Sequence, residues 1–200
     1  MGMFDSLVHT VPGGPAALAL LNDACEPAIV HHSIRVLRYA LALREQDNLD
    51  VEDEVLVHSC LLHDIGASRL ASGPERFEVQ GADLAVNLLI GQGWRTDRLE
   101  AVWTAIAVHT SPHIAERISA PARLVRLAVR ADFSDDLITP ELRRATEDDL
   151  PRLDVERVLS GVVVAQAEID QRRAPGGSWP GDLLAAHRCG SGPDARLAGF

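Results

Sequence analysis

The chain has 200 residues, 46% of them hydrophobic and 24% charged, with a formal net charge of −10 when histidines are neutral. That length fits one domain and suffices to bury a large core without disulfides. The acidic balance argues against a nucleic-acid backbone as the main partner, because phosphate binding needs a basic surface; a small anionic substrate stays open, since a bound metal ion can supply local positive charge.

Residues 1–14 read as an N-terminal arm closed by Gly13 and Gly14. No basic stretch followed by a long apolar run precedes them, so a signal peptide is not expected. From Pro15 to Arg173 the pattern is helical, and residues 15–173 are taken as one domain. Helices are expected near 15–25, 29–46, 51–65, 76–91, 96–109, 122–136, 140–149 and 154–173. Ile29, Val36, Ala40 and Leu43 share one face. Leu99, Val102, Trp103 and Ile106 share another, and Leu124, Leu127, Ala128 and Ala131 a third.

The boundaries carry helix signals. Asp50 can cap a helix whose first turn holds Glu52, Asp53 and Glu54. Gly66 stands where the next stop falls, and Thr139-Pro140 opens a later helix. Strand signals are nearly absent, and aromatic residues are only 4%. The fold class is therefore all-α. Residues 174–200, rich in Pro and Gly, read as a tail that wraps the surface or stays partly disordered. Cys25, Cys60 and Cys189 are odd in number and lack Cys-x-x-Cys spacing, which suits a reducing cytoplasm. No apolar run is long enough to span a membrane, so no membrane partner is expected.

The chemistry centres on His63-Asp64, at the end of the apolar run Cys60-Leu61-Leu62. An ionised Asp buried there without a partner would be costly. A cation removes that cost, since imidazole and carboxylate both bind divalent metals. His32 lies on the inward stripe of the preceding helix with Ile29, Val36 and Tyr39. Asp132 lies on the apolar face of Val125 and Ala128 and also needs a partner. Two such acids and two such histidines are best explained by one shared cation. Asp135 and Asp136, beside Asp132, read as a solvated helix end.

The order His32 … His63-Asp64 … Asp132 on helices resembles the HD superfamily of metal-dependent hydrolases. The resemblance covers roughly residues 25–173 and rests on His32-Ser33-Ile34-Arg35-Val36 and Leu61-Leu62-His63-Asp64-Ile65-Gly66. The strings Arg76-Phe77-Glu78-Val79-Gln80-Gly81-Ala82 and Ala105-Ile106-Ala107-Val108-His109 are similar to its cyanamide-hydratase-like branch. The resemblance implies a helical bundle whose metal ligands match His32, His63, Asp64 and Asp132. The branch's acid and third histidine match Glu78 and His109, which with Asp64 are the catalytic candidates. Arg35, one turn from His32, and Phe77 are the substrate-binding candidates; for Arg35 an ion pair with Asp64 is the simpler alternative.

Three departures from the family pattern matter. His31 stands where the branch often has Asn, which makes it a rival to His32. No His occurs between Ile65 and Val108, where two-metal members usually place one; this favours a single metal unless Glu78 replaces the missing ligand. Ala67 occupies the position where HD nucleotidases commonly carry Glu.

The expected activity is hydrolysis or hydration of a small molecule with one divalent ion, whether iron, zinc, manganese or cobalt. The alternatives are an HD phosphohydrolase acting on a nucleotide or small phosphoester with Arg35, Arg69 and Arg76 around the phosphate, an iron-dependent oxygenase with a second metal, and a non-catalytic binding module that keeps its metal.

Overall fold

The structure is a computed structural model that describes residues 3–134 and 136–190. Among the described residues there are eleven α-helices and no strand. In chain order they are α1 (Met3–Thr10), α2 (Gly14–Ala24), α3 (Pro27–Gln46), α4 (Asp53–Leu62), α5 (Phe77–Ile90), α6 (Thr96–Ala107), α7 (Ala115–Ile118), α8 (Ala120–Phe133), α9 (Pro140–Asp149), α10 (Val155–Ile169) and α11 (Trp179–Arg188). None is long and apolar enough to cross a membrane.

Local chemistry sets several starts. The Ser119, Thr139 and Ser178 side chains accept from the backbone N–H groups of Ala122, Leu142 and Gly181, and each is followed by a proline in the first turn. The α3 stripe of Ile29, Val36, Ala40 and Leu43 is buried as its spacing predicts. So is the α8 stripe of Leu124, Leu127, Ala128 and Ala131. These stripes pack α3 along α8 and against α4, while α6 lies against α4, α5 and α8. On the α6 face, Val102 and Ile106 are buried, but Trp103 is 37% exposed and donates its Nε1–H to Asp83.

Several segments depart from the sequence expectation: α7 stands where no helix is expected, and α8 runs over Ala120–Phe133 instead of 122–136. Within the arm, α1 is helical and buries Val8, and Val11, just after its end, is buried as well. Within the tail, α11 lays Trp179, Leu183 and Leu184 into a second core with Ala28, Ile29, Phe77, Leu159 and Val163. The helix expected to run to Ile65 stops at Leu62, and Ile65–Ala67 form a 3₁₀ turn. Finally, α10 stops at Ile169, and only Gln171–Arg173 continue it as another 3₁₀ turn. Residues 1–2 of the arm, residues 191–200 of the tail, and Asp135 lie outside the described residues.

Gly66 has a specific task. A Cβ there would fall 1.8 Å from the carbonyl oxygen of Phe77 and 2.8 Å from the amide nitrogen of Gly81. Only glycine lets the turn after Asp64 press onto the start of α5. That contact brings Phe77 and Glu78 up to the His63-Asp64 segment.

Candidate metal centre

Four side chains converge from three helices. His32 comes from the second turn of α3, His63 and Asp64 follow the end of α4, and His109 lies in the turn after α6. Each is at most 1% exposed. Ending α4 at Leu62 matters here: His63 keeps helical dihedrals, while Asp64 moves to φ −104°, ψ 10°. The Nε2 atoms of His32 and His63 lie 3.1 Å apart. Asp64 Oδ2 is 3.5 Å from the first and 3.2 Å from the second, and Asp64 Oδ1 is 3.4 Å from His109 Nε2.

Hydrogen bonds fix which ring nitrogens face inward. A backbone carbonyl can only accept, so His63 Nδ1 carries the proton it donates to Cys60 O at 2.8 Å. His109 Nδ1 likewise donates to Ile106 O at 2.7 Å. His32 Nδ1 donates to the carboxylate of Asp132 at 2.7 Å. In the neutral rings all three Nε2 atoms then present lone pairs toward Asp64. Neither Asp64 oxygen makes a well-directed hydrogen bond, although three ring nitrogens stand close by. Two lone pairs facing each other at 3.1 Å require a cation between them, either a proton or a metal ion. Orphaned carboxylate oxygens and facing imidazole nitrogens are what a divalent transition ion needs, so the donor set fits such an ion. His32, His63 and Asp64 form a cluster able to hold one.

The electrostatics agree. Burial works against ionisation of Asp64, yet the facing His63 and His109 hold its carboxyl well below the usual carboxylate range. Burial by itself would lower His63, but Asp64 and the Cys60 carbonyl outweigh it and raise its pKa. Burial dominates at His32 and lowers it, which keeps that ring a neutral donor. Cys25, at the end of α2, is pushed up to about 12 by burial, with added repulsion from Asp64 and Glu26. It is therefore a neutral thiol beside the centre, not a thiolate ligand.

The sequence profile described as HD domain matches residues 29–132, more than half of the chain. The match begins just before His32, includes His63-Asp64 and ends on Asp132. The chain belongs to the HD domain family. Two curated relatives, the cyanamide hydratases DDI2 and DDI3 of Saccharomyces cerevisiae, are each 30% identical to it over 133 residues. That stretch is 62% of this HD protein and 59% of each relative, so the match spans less than two thirds of their length. Among solved structures, a predicted HD superfamily hydrolase from an uncultured Thermotogales bacterium aligns with a TM-score of 0.55 at 22% identity. The alignment covers 84% of this chain and 99% of that one, a likeness of fold.

Asp132 is not where the HD pattern leads one to expect it. It is buried on the inward face of α8, but its carboxylate meets His32 at Nδ1, on the far side of the ring from the cluster. Both oxygens are gripped by Arg35, with Nε and NH2 each at 2.7 Å. Arg35 stands one turn beyond His32 on α3 and draws the carboxylate to itself. In this geometry Asp132 orients His32 and is not one of the converging donors. Although burial opposes its ionisation, Arg35 and His32 hold it well below the usual carboxylate range.

Arg35, expected at the substrate, is placed by the structure against Asp132. Arg35 is fully buried and makes four hydrogen bonds, two to Asp132 and two to the carbonyls of Leu150 and Pro151. Its partner is Asp132 and not Asp64. His31 turns away from the centre and bonds Pro151 O at 2.9 Å. Phe77 is buried with its ring between those of His109, at 5.7 Å, and Trp179, at 5.8 Å. It is a wall of the site whose outer edge the C-terminal helix covers.

Glu78 is fully buried beside the centre without joining the donors. Its carboxylate takes hydrogen bonds from Arg76 and from the hydroxyl of Thr110, the residue after His109. Beyond Thr110 opens a cavity of about 300 Å³, bordered by Arg76, Ser111, Ile114, Ser178 and Trp179. Sequence reasoning missed Thr110 and Trp179, and it missed Cys25 as a neighbour of Asp64. Thr110 carries no spacing signal, but the Trp179, Leu183, Leu184 spacing of a docking helix was there to be read.

Proposed function

We propose that this HD protein is a one-metal hydrolase or hydratase of a small polar molecule, with cyanamide and related small nitriles as the first substrates to try. The observation that carries this reading is the buried convergence of the His32, His63 and His109 Nε2 atoms on Asp64. A divalent ion held there would acidify a water molecule and polarise an electrophile. His63 and His109, each fixed through Nδ1 by a backbone carbonyl, hold their lone pairs on the reacting side. Glu78, linked to that side through Thr110, is placed to accept and return a proton as the electrophile takes up water. Phe77 and Trp179 keep bulk water off the outer face.

The similarity to the two yeast cyanamide hydratases supports the hydratase form of the reaction. The arginines support it over phosphoester hydrolysis. Arg35 is spent on Asp132, Arg69 is exposed and bonds Asp23 O, and only Arg76 borders the cavity beside the centre. A phosphate would find one cation there and not three. The unpaired thiols Cys25, Cys60 and Cys189 suit a reducing compartment such as the cytoplasm.

The test has two parts. The purified protein should carry about one transition-metal ion per chain, and His63→Ala and Asp64→Ala should lose it. A panel of cyanamide, an aryl phosphate and nucleoside monophosphates, each with iron, zinc, manganese and cobalt, then ranks the chemistries. Urea formed from cyanamide and abolished in Asp64→Ala is the expected result. Metal-dependent phosphate release with no urea would put the phosphohydrolase first. Full metal retention in both variants would remove the metal centre altogether.

A further inference from the structure

The connection between α9 and α10 lies beyond the residues matched by the family profile, yet it reaches the metal centre. Three of its residues do so. The carbonyls of Leu150 and Pro151 accept from Arg35 NH1 at 3.1 and 3.2 Å, and that of Pro151 also holds His31. Arg152 NH1 donates to the backbone carbonyl of Asp132 at 2.6 Å and lies 3.4 Å from its Oδ1. The Arg152 guanidinium also sits 5.6 Å from the centre of the Phe133 ring, and that ring lies 5.1 Å from the ring of His32. Glu147 on α9 and Glu156 on α10 hold Arg152 from the other side. The connection ends with Leu153 at φ 51° and Asp154 at φ 59°, two consecutive non-glycine residues in the left-handed region. Such backbone persists only where its surroundings fix it.

We propose that Arg152 is a positioning residue for the metal centre: with Arg35 it fixes Asp132, and Asp132 fixes the ring of His32. The inference rests on the metal-centre reading above. Its physical basis is the bond that a metal-ligating imidazole makes through its other nitrogen. A carboxylate there sets the tautomer, aims the lone pair and makes the ring a better donor. Arg35 alone leaves Asp132 hinged on one guanidinium. Arg152 ties the backbone of Asp132 and stands beside its Oδ1, so carboxylate and main chain are both held. Its position over Phe133 also braces the ring that leans on His32.

The bland alternative is that Arg152 only staples α9 and α10 to α8, and metal binding separates the two. Arg152→Met keeps a long stem over Phe133 but loses the charge and every donor; Arg152→Lys keeps the charge but not the planar fork. The measurements are cobalt affinity by chelator competition, the visible absorption spectrum of the cobalt-loaded protein, and unfolding of the metal-free protein. Loss of outer partners of ligating histidines typically weakens metal binding by about 10–100-fold. Arg152 acts one step further out, so Arg152→Met should weaken cobalt binding roughly tenfold. It should also change the cobalt spectrum, with a smaller loss in Arg152→Lys. Wild-type affinity and spectrum in both variants would overturn the clamp, even if the metal-free proteins unfold more easily. If Arg152→Met does not fold, Arg152→Lys decides alone, and unchanged affinity and spectrum overturn the proposal. Failure of the wild-type protein to bind cobalt would instead overturn the metal centre itself, and the clamp with it.

Discussion

Replacing Asp132 by alanine should destabilise the metal-free protein severely. Arg35 is fully buried, and Asp132 receives its Nε and NH2 in a two-pronged pair with both bonds at 2.7 Å. Without the carboxylate, Arg35 keeps only the carbonyls of Leu150 and Pro151 against its charge. Removing one partner of a buried ion pair costs about 3–5 kcal/mol, because the other charge stays desolvated. For a domain of this size each kcal/mol moves the melting temperature by about 2–4 °C, so the fall should be roughly 6–20 °C. Thermal and urea unfolding in the presence of a chelator measure it, since chelation removes any stability linked to metal binding. The double variant Arg35→Met/Asp132→Leu should recover most of the loss, because neither charge is then left alone. A loss below about 1 kcal/mol in Asp132→Ala, the size expected of an exposed pair, would refute the reasoning. So would a double variant as unstable as the single one, since the cost would then lie in packing and not in the stranded charge.

Glu78→Gln should keep its metal, because Glu78 is not among the converging donors, while turnover on the substrate found should fall about 100-fold or more. Metal analysis and steady-state rates check this; an emptied site would make Glu78 a ligand, and an unchanged rate would leave it as a fastener of Thr110. Gly66→Ala should cost about 3 kcal/mol and weaken metal binding, because its Cβ would strike backbone at Phe77 and Gly81 beside Asp64. Denaturant unfolding and a zinc titration would show it, and a stable variant with normal affinity would contradict the close approach. His58 predicts an acid sensitivity. Burial lowers its pKa in the folded protein, although its Nδ1 bonds Glu54 O, so folding favours the neutral ring. Its contribution is complete above the unfolded value of about 6.5 and is lost as the pH falls below that toward the folded value. His58→Gln should therefore lose less stability than wild type when the metal-free protein is taken from about pH 7 to 5. Parallel pH profiles would show that His58 does not contribute.

Much of the helical fold was legible because the sequence states it locally. The α8 and α3 stripes and the Thr139-Pro140 start were readable from spacing and capping chemistry alone. Composition misled at the two ends. The Pro and Gly of the tail suggested irregular chain, yet Ser178, Pro180 and the Trp179, Leu183, Leu184 stripe specify a capped amphipathic helix. The one-turn helix α7 is too short for any period to show. The sequence pattern makes Gly66 a helix stop, but its task is tertiary: α4 has already ended, and glycine is needed for the approach of Phe77.

The site was legible down to the residue but not to the atom. Spacing put His32, His63, Asp64 and Asp132 on inward faces, and all four are buried. The rule that a buried acid needs a cation is met at Asp132 by Arg35, but spacing cannot say which cation an acid meets. On α3, one turn of helix offers Asp132 both an imidazole and a guanidinium. The guanidinium matches a carboxylate with two parallel hydrogen bonds, so Arg35 takes both oxygens and leaves His32 one bond at Nδ1. The consequence is chemical. With Asp132 turned away, three imidazole nitrogens and the single carboxylate of Asp64 face one another. Nitrogen-rich sets suit zinc, iron and their neighbours, while magnesium and calcium prefer oxygen. A centre with both aspartates as ligands would bind magnesium far better. Magnesium binding to the metal-free protein therefore reads the orientation of Asp132: millimolar magnesium should leave the site empty, and saturable magnesium binding lost in Asp132→Asn would mean that Asp132 has turned inward as a ligand.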